Sequence, residues 1–208
     1  MENPSGYRVV KRGVLQQEGQ LGGYMDDAFR LSLSDEECRY LLDAVRARID
    51  FVLREQKVET LLPPPGILHE KYGAFVTLKR NGQLRGCIGR IVGRDPLYVT
   101  VGEMAEAAAF HDSRFPPLLL SEFNNLEVEV SVIGPITRCE DPSQVEVGRH
   151  GLVMRKEGHQ GLLLPQVPVE WEWDRETFLD QTCRKAGLPA DAWQYPDTEI
   201  YWFEALVL

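Results

Sequence analysis

Residues 84–89 read LRGCIG, and they directly follow KRNG at residues 79–82. A glycine inside a strand weakens it and usually marks a bulge or a close approach of another backbone. An Asn-Gly pair between two strands is a strong signal for a tight hairpin turn. This stretch therefore predicts a β-hairpin whose first strand covers residues 73–79 and whose second strand runs as far as Ile91.

Two registers of that hairpin are compatible with the sequence. A two-residue turn pairs Val76 with Cys87. A three-residue turn, in which Gly82 takes a left-handed conformation, pairs Phe75 with Cys87. A slip of one residue exchanges the two faces of a strand. We favour the three-residue turn because it gathers four apolar side chains on one face: Val76, Leu78, Leu84 and Ile88.

Arg85 and Cys87 are the candidate chemical groups of the hairpin. Residues two apart in a strand share a face and lie about 6.5 Å from each other, so both would face the same side as Phe75 and Thr77. A nearby guanidinium favours a thiolate. Cys87 is therefore a candidate nucleophile. Arg85 is either its electrostatic partner or the group that binds an anionic substrate through two parallel hydrogen bonds. The alternatives are a small buried cysteine and an ion pair between Arg85 and Asp112.

The composition is that of an ordinary globular chain. It has 208 residues, of which 43% are hydrophobic and 26% charged, and a net charge of −9. So acidic a chain gains little from phosphate neutralisation, which disfavours nucleic-acid binding. The sequence shows neither a secretory signal nor an 18-residue apolar run, so we expect a cytoplasmic protein without membrane contact. Its four cysteines form no C-x-x-C pair, which disfavours a metal site and predicts free thiols.

Capping signals predict three helices. Ser34 opens a capping box ahead of an apolar periodicity of 3.6 residues. Asp95 caps a second helix, which has a proline at its first position and runs to about Phe110. Asp174 caps a third helix, which ends at Gly187.

Strand patterns complete the sequence-based assignment. Residues 126–133 alternate strictly between apolar and polar, residues 145–164 predict short strands, and residues 198–208 are rich in aromatic and β-branched side chains. We expect a flexible N-terminal tail over residues 1–27 and one domain over residues 28–208. The order of elements predicts an α+β fold, with mostly antiparallel sheets flanked by helices.

The motifs resemble those of one known family. LRGCIG after an Asn-Gly turn resembles the signature of the AMMECR-one domain family, also called AmmeMemoRadiSam system protein A. The likeness extends over residues 30–208 and departs from the family's Asp-Pro-Arg-Phe loop only at Ser113. The further matching segments are residues 112–115 (DSRF), 129–132 (EVSV), 148–152 (GRHGL), 163–167 (LLPQV), Glu170 and 173–174 (WD).

The resemblance implies a fold of two lobes with a cleft near the Cys87 strand. It also implies a functional association with a Memo-type protein and a radical-SAM protein, but no settled activity. Gly86 and Gly89 would let a substrate approach the backbone closely, and Asp112 and Arg114 would line the cleft. The alternative for Asp112 is an Asx-type turn that fixes its own loop.

Two further candidates come from later in the chain. His150 would act as a base toward Cys87 if the lobes bring them together, although a histidine in a turn is more often only a polar turn residue. Glu170, beside Trp171, would bind substrate as a carboxylate with a raised pKa, or would simply be solvated.

Two functions remain open at this point. The first is a cofactor-free, thiol-dependent enzyme that uses Cys87 with Arg85 and His150 for transfer or hydrolysis. The second is a binding or adaptor module that holds a metabolite, a peptide or a partner protein in the same cleft. The reactivity of the Cys87 thiol discriminates between them, because only the enzyme needs an accessible thiolate.

Overall fold

The computed structural model describes residues 32–55 and 62–208. Those residues form two compact units, unit one with residues 32–133 and 206–208, and unit two with residues 134–205. The expected N-terminal tail lies outside the described residues. In the part of the chain that is described, no helix is both long and apolar enough to cross a membrane.

Unit one contains both α-helices and β-strands. In chain order its elements are α1 (Asp35–Arg54), β1 (Gly73–Arg80), β2 (Gln83–Arg90), α2 (Leu97–Phe110), α3 (Leu120–Phe123) and β3 (Leu126–Ile133). β1 pairs with β2 on one side and with β3 on the other, both antiparallel. Leu208 pairs with Val130 through two backbone hydrogen bonds.

The predicted start of α1 is confirmed. The Ser34 hydroxyl accepts the Glu37 N–H, and the Glu37 carboxylate accepts the Ser34 N–H, so the capping box is complete. The start of α2 differs by one residue, because Pro96 is its N-cap and the helix begins at Leu97. The Asp95 carboxylate instead pairs with Arg90 at 3.4 Å.

The predicted hairpin exists, but both predicted registers are wrong. Cys87 pairs with Thr77, not with Val76 or Phe75. Asn81 and Gly82 form a two-residue turn with φ of 52° and 72°, which confirms the positive φ expected of Gly82.

A β-bulge explains the register. Leu84 pairs with Lys79, whereas Gly86 pairs with Leu78, so Arg85 is an additional residue on β2. Such a bulge locally interrupts the ladder and re-aims a side chain. Leu84 consequently leaves the apolar face on which we expected it and is 42% exposed.

The apolar face of the unit-one sheet packs against α2. Val76 and Leu78 are fully buried, as predicted. Gly86 lies on the same face, where an added Cβ would collide with the Ala108 carbonyl of α2. The backbone that approaches Gly86 closely is thus that of a helix.

Unit two contains further antiparallel strands and its own helices. Its elements are β4 (Thr137–Arg138), β5 (His150–Lys156), β6 (His159–Leu163), α4 (Gln166–Glu170), α5 (Arg175–Lys185) and β7 (Glu199–Val207), the last of which ends in unit one. β5 pairs with β6 and β7, and β4 pairs with β7. Asp174 caps α5, and Gly187 ends it at φ of 76°, as predicted. The α+β class with antiparallel pairing is confirmed.

Candidate functional site

Cys87 lies in the middle of β2, which is the edge strand of the unit-one sheet. Its side chain is half-buried, and its Sγ accepts a hydrogen bond from the Thr77 hydroxyl at 3.3 Å. Phe75 pairs with Gly89 two residues along the ladder. The expected grouping of Phe75, Thr77 and Cys87 on one face is therefore confirmed, although the register is not.

Asp112 and Arg114 close the outer edge of β2 at this point, and we call these two residues the edge clasp. The Cys87 N–H donates to Asp112 Oδ2 at 2.9 Å. Arg114 Nη2 donates to the Cys87 carbonyl oxygen at 3.1 Å. The clasp thus occupies both backbone groups that an edge strand leaves unpaired at this residue.

The clasp is held together by a bidentate ion pair. Arg114 donates from Nε to Asp112 Oδ1 at 2.9 Å and from Nη2 to Oδ2 at 2.7 Å. These bonds, helped by the Cys87 N–H, hold the pKa of the Asp112 carboxyl well below its usual range although burial opposes them. The Arg114 N–H also donates to Asp112 Oδ1 at 3.2 Å, so the Asx-type turn that we considered is present.

Arg85 pairs with Glu122, which corrects the expected partner Asp112. Arg85 Nε donates to Glu122 Oε1 at 2.9 Å, and Nη2 donates to Oε2 at 3.1 Å. Arg85 Nη2 also donates to the Pro116 carbonyl at 3.0 Å. Only 11% of the Arg85 side chain and 12% of the Glu122 side chain are exposed. The guanidinium therefore forms a nearly buried ion pair with Glu122, and its Nη1 is buried without a hydrogen-bond partner among the described residues.

Glu122 is a site residue that was not predicted from the sequence. Its carboxylate accepts from Arg85 and from the Leu119 N–H at 2.9 Å. Together with the charge of Arg85, these bonds lower the pKa of Glu122 to about 2 against the effect of burial. The only sequence signal for this role is a glutamate three residues after a helix N-cap, which is typical of a capping box.

The space beside Gly86 and the space beside Gly89 are both occupied by other residues of the protein. Gly86 is buried under the α2 backbone, and the Phe75 ring occupies the position that a Cβ on Gly89 would take. Their close approaches are thus to the protein itself, and their proposed contact with substrate stays a prediction.

The sheet face around Cys87 carries a polar row that sequence reasoning did not assemble. The register places Cys87, Thr77 and Glu129 side by side on three neighbouring strands. Lys79 Nζ lies 3.2 Å from Glu129 Oε2. Exposure falls along this face to 9% at Thr77 and 1% at Ser131.

Cys87 differs from the other three cysteines. Cys38, Cys139 and Cys183 are buried, and burial is the main cause that raises the pKa of both Cys139 and Cys183 to about 11. No group of three or more His, Cys, Asp or Glu side chains within residues 32–55 and 62–208 is arranged to hold a metal ion.

His150 belongs to unit two, where it is 8% exposed. Its Nδ1 accepts the Glu146 N–H at 3.0 Å, and its ring lies 4.6 Å from the Trp202 ring. Burial, followed by the charge of Arg149, lowers its pKa. An Nδ1 that accepts a hydrogen bond belongs to the tautomer whose proton is on Nε2. Its role as a base toward Cys87 stays a prediction.

Glu170 also belongs to unit two, at the C-terminal end of α4, and its side chain is exposed. This is the solvated alternative that we considered. Trp171, next to it, is 68% exposed.

Comparisons with known proteins agree with the motifs. The profile of the AMMECR1 family matches residues 42–208. A protein of Thermococcus gammatolerans is 45% identical over 186 residues, which cover 83% of this chain and 90% of that protein. A protein of Methanopyrus kandleri is 45% identical over 184 residues, 84% of this chain and 89% of its own.

One solved structure is similar over the same part of the chain. It is that of uncharacterized protein PH0010 from Pyrococcus horikoshii, with a TM-score of 0.75 and 42% identity. The match covers 83% of this chain and 90% of that chain. The chain therefore belongs to the AMMECR1 family.

Proposed function

We propose that this protein is a binding module that holds a small polar ligand against the unit-one sheet, with Cys87 and Thr77 in contact with it. One observation carries the proposal. Two arginines near Cys87 are already paired with carboxylates within the protein: Arg85 with Glu122, although Arg85 Nη1 is buried without a hydrogen-bond partner among the described residues, and Arg114 with Asp112. What remains on this face is the half-buried Cys87 side chain, with the nearly buried hydroxyl of Thr77 hydrogen-bonded to it.

Charge neutralisation argues against an anionic substrate at this point. A guanidinium that already forms a bidentate pair with a carboxylate offers little net charge to a second anion. Both arginines near Cys87 are in that condition. A neutral or zwitterionic ligand that forms hydrogen bonds is the better match to a thiol, a hydroxyl and the Lys79–Glu129 pair.

The burial of this face limits the size of the ligand. Cys87 is half-buried, but Thr77 and Ser131 are almost closed to solvent. A macromolecular segment needs a broad accessible surface, whereas a small molecule needs only a few well-placed polar groups. The edge clasp also fixes the backbone of Cys87 on both sides, and such preorganisation lowers the cost of binding.

Metabolite capture tests the proposal. Native mass spectrometry of the purified protein after incubation with a metabolite extract should show a bound small molecule. Its occupancy should fall strongly in Thr77→Val and in Cys87→Ser. Thr100→Val is the matched control, because Thr100 is a buried threonine of α2 in the same unit. Equal capture by wild type and both site variants would contradict the proposal.

A thiol-dependent enzyme is the second candidate, because Cys87 alone among the four cysteines is not buried and accepts a hydrogen bond from a hydroxyl. This candidate expects Cys87 to react with iodoacetamide in the folded protein faster than the other three cysteines, as measured by peptide mass mapping. Arg114→Gln should slow the reaction more than Arg85→Gln, since Arg114 contacts the Cys87 carbonyl. Reaction of Cys87 only on unfolding would exclude this candidate.

The wider setting of the protein remains as the sequence predicts it. A cytoplasmic location and a functional association with Memo-type and radical-SAM proteins are expectations from composition and resemblance. Co-purification from the native organism would test the association.

A further inference from the structure

Trp171 is an exposed tryptophan on unit two. It is 68% exposed, whereas Trp173, Trp193 and Trp202 pack against the core of that unit. Two more exposed apolar side chains lie beside it, Val169 at 56% and Val147 at 38%. Contiguous exposed apolar side chains of this kind mark interaction sites in soluble proteins.

We call these three exposed apolar residues the Trp171 platform (Val147, Val169 and Trp171). Val169 and Trp171 lie on either side of the end of α4. An added Cβ on Gly148, next to Val147, would lie 3.1 Å from Val169 Cγ2, so the 147–148 turn contacts Val169.

The platform is held rigidly. The Trp171 ring stacks on Trp173 with centroids 6.2 Å apart and 22° between planes, and Trp173 packs on the core. The backbone N–H of Trp171 donates to the Val167 carbonyl at 3.1 Å, and the backbone N–H of Trp173 donates to the Pro168 carbonyl at 2.8 Å. A rigid aromatic anchor loses little conformational entropy on binding.

Carboxylates surround the platform. Glu170 and Glu172 flank Trp171 in the chain, and both are exposed. The carboxylate of neither forms a hydrogen bond or an ion pair with another residue in the described ranges 32–55 and 62–208. Glu146, next to Val147, is 59% exposed, although it pairs with Arg149. The two carboxylates that flank Trp171 are therefore available to a cation, whereas Glu146 shares Arg149 with Glu204.

We infer that the Trp171 platform docks a short basic segment of a protein partner, in which apolar side chains alternate with lysine or arginine. The apolar side chains would cover Val147 and Val169. A cation would lie over the Trp171 ring, where the ring quadrupole attracts it, and further cations would pair with Glu170 and Glu172. The same carboxylates disfavour an acidic partner and the surface of an anionic membrane.

Peptide titration tests this inference. The probe is a six-residue peptide of alternating lysine and leucine, with glutamate–leucine and lysine–serine peptides of the same length as comparisons. Binding to the full chain is followed by isothermal titration calorimetry at low and at physiological salt. The lysine–leucine peptide should bind, more tightly at low salt, and the other two should bind at least about tenfold more weakly because each lacks one of the two required features.

Variants locate the binding on the surface. Trp171→Ala should weaken binding about tenfold, as expected of an aromatic anchor, and Glu170→Gln with Glu172→Gln should remove most of the salt dependence. Val92→Ala and Glu36→Gln are the controls, since Val92 is 61% exposed, Glu36 is exposed in the first turn of α1, and both residues belong to unit one. These controls should leave the affinity unchanged.

Three results would overturn the inference. One is absence of binding of the lysine–leucine peptide to the wild type. Another is equal binding to wild type and Trp171→Ala. The third is a concentration-dependent dimer, seen by sedimentation velocity and lost in Trp171→Ala, which would assign the platform to a second copy of this chain.

Discussion

The β1–β2 hairpin of unit one and the β5–β6 hairpin of unit two have the same kind of turn. They differ in that only the first contains a β-bulge. Each turns through a non-glycine residue and a glycine with positive φ, Asn81–Gly82 and Glu157–Gly158. The β5–β6 ladder is regular along its length, whereas the β1–β2 ladder gains the additional residue Arg85. Only the hairpin with the bulge carries the candidate site.

Both hairpins also contain a strand glycine under a helix. A Cβ on Gly86 would collide with the Ala108 carbonyl, and a Cβ on Gly161 would collide with the backbone N of Ala186 at the end of α5. One strand glycine in each unit therefore lies under a helix backbone, whereas Gly89 and Gly151 lie against phenylalanine rings. What distinguishes unit one is the bulge that directs Arg85 to Glu122 and the edge clasp that follows it.

The largest effect should come from filling these glycine positions. Gly86→Leu and Gly161→Leu should each lower the free energy of unfolding by about 3 kcal/mol, because overpacking here displaces helix backbone rather than a flexible side chain. Urea denaturation measures this. The control is Gly102→Ala in α2, where no neighbouring atom lies within 4 Å and alanine should stabilise the helix by about 1 kcal/mol. A tolerated Gly161→Leu would break the parallel between the hairpins.

The second effect separates the buried ion pair of unit one from an exposed one in unit two. Glu122 has its pKa lowered to about 2 in the folded protein. Its contribution to stability is therefore present above its unfolded pKa of about 4.5 and is lost as the pH falls toward 2. Glu122→Gln should lower the free energy of unfolding by about 2 kcal/mol at pH 7 and by much less at pH 3.

Glu204 supplies the matched control for Glu122. It pairs with Arg149 at 2.7 Å, but the side chains are 33% and 45% exposed. Exposed pairs contribute little, so Glu204→Gln should change the free energy of unfolding by less than about 0.5 kcal/mol at either pH. Equal effects of the two substitutions would mean that burial does not strengthen the Arg85–Glu122 contact.

The turn glycines should show a smaller effect, of the same size in both hairpins. Gly82 and Gly158 have φ of 72° and 85°, and nothing lies within 4 Å of an added Cβ. The cost of Gly82→Ala or Gly158→Ala is therefore backbone strain alone, about 1 kcal/mol. Thermal denaturation of both variants measures it, and a cost at only one turn would show that the two turns are not equivalent.

Local signals were sufficient to predict most elements of the fold. The capping residues Ser34 and Asp174, the Asn-Gly turn and the alternation over Leu126–Ile133 each act within a few residues of the structure they produce. The hairpin register could not be predicted in the same way. A bulge at Arg85 is stabilised by the distant residue Glu122, and counting along a regular ladder cannot include it.

The candidate site divides along the same line. The grouping of Cys87 with Thr77 follows from alternation and was predicted, and the Asx-type turn at Asp112 follows from its own loop. The partner of Arg85 was assigned wrongly, because the choice between two acidic residues depends on how loops pack. Glu129 was missed as a neighbour of Thr77 because its position depends on the pairing of β1 with β3.

The smallest effect on stability should come from His150 at the start of β5. Here unit two uses an imidazole ring, whereas the edge clasp of unit one uses a charged pair. His150 accepts the Glu146 N–H and packs against the Trp202 ring in a tilted arrangement, and burial lowers its pKa. Protonation would place an N–H against the Glu146 N–H and a charge beside Arg149, although Glu146 and Glu204 oppose this. The stabilisation is therefore present above the unfolded pKa of about 6.5 and declines as the pH falls below it, a window distinct from that of Glu122.

Melting temperatures between pH 7.5 and 5 should fall for the wild type and for the exposed-histidine control His159→Gln, and they should change less for His150→Gln. A parallel decline in all three proteins would show that His150 does not carry this pH dependence.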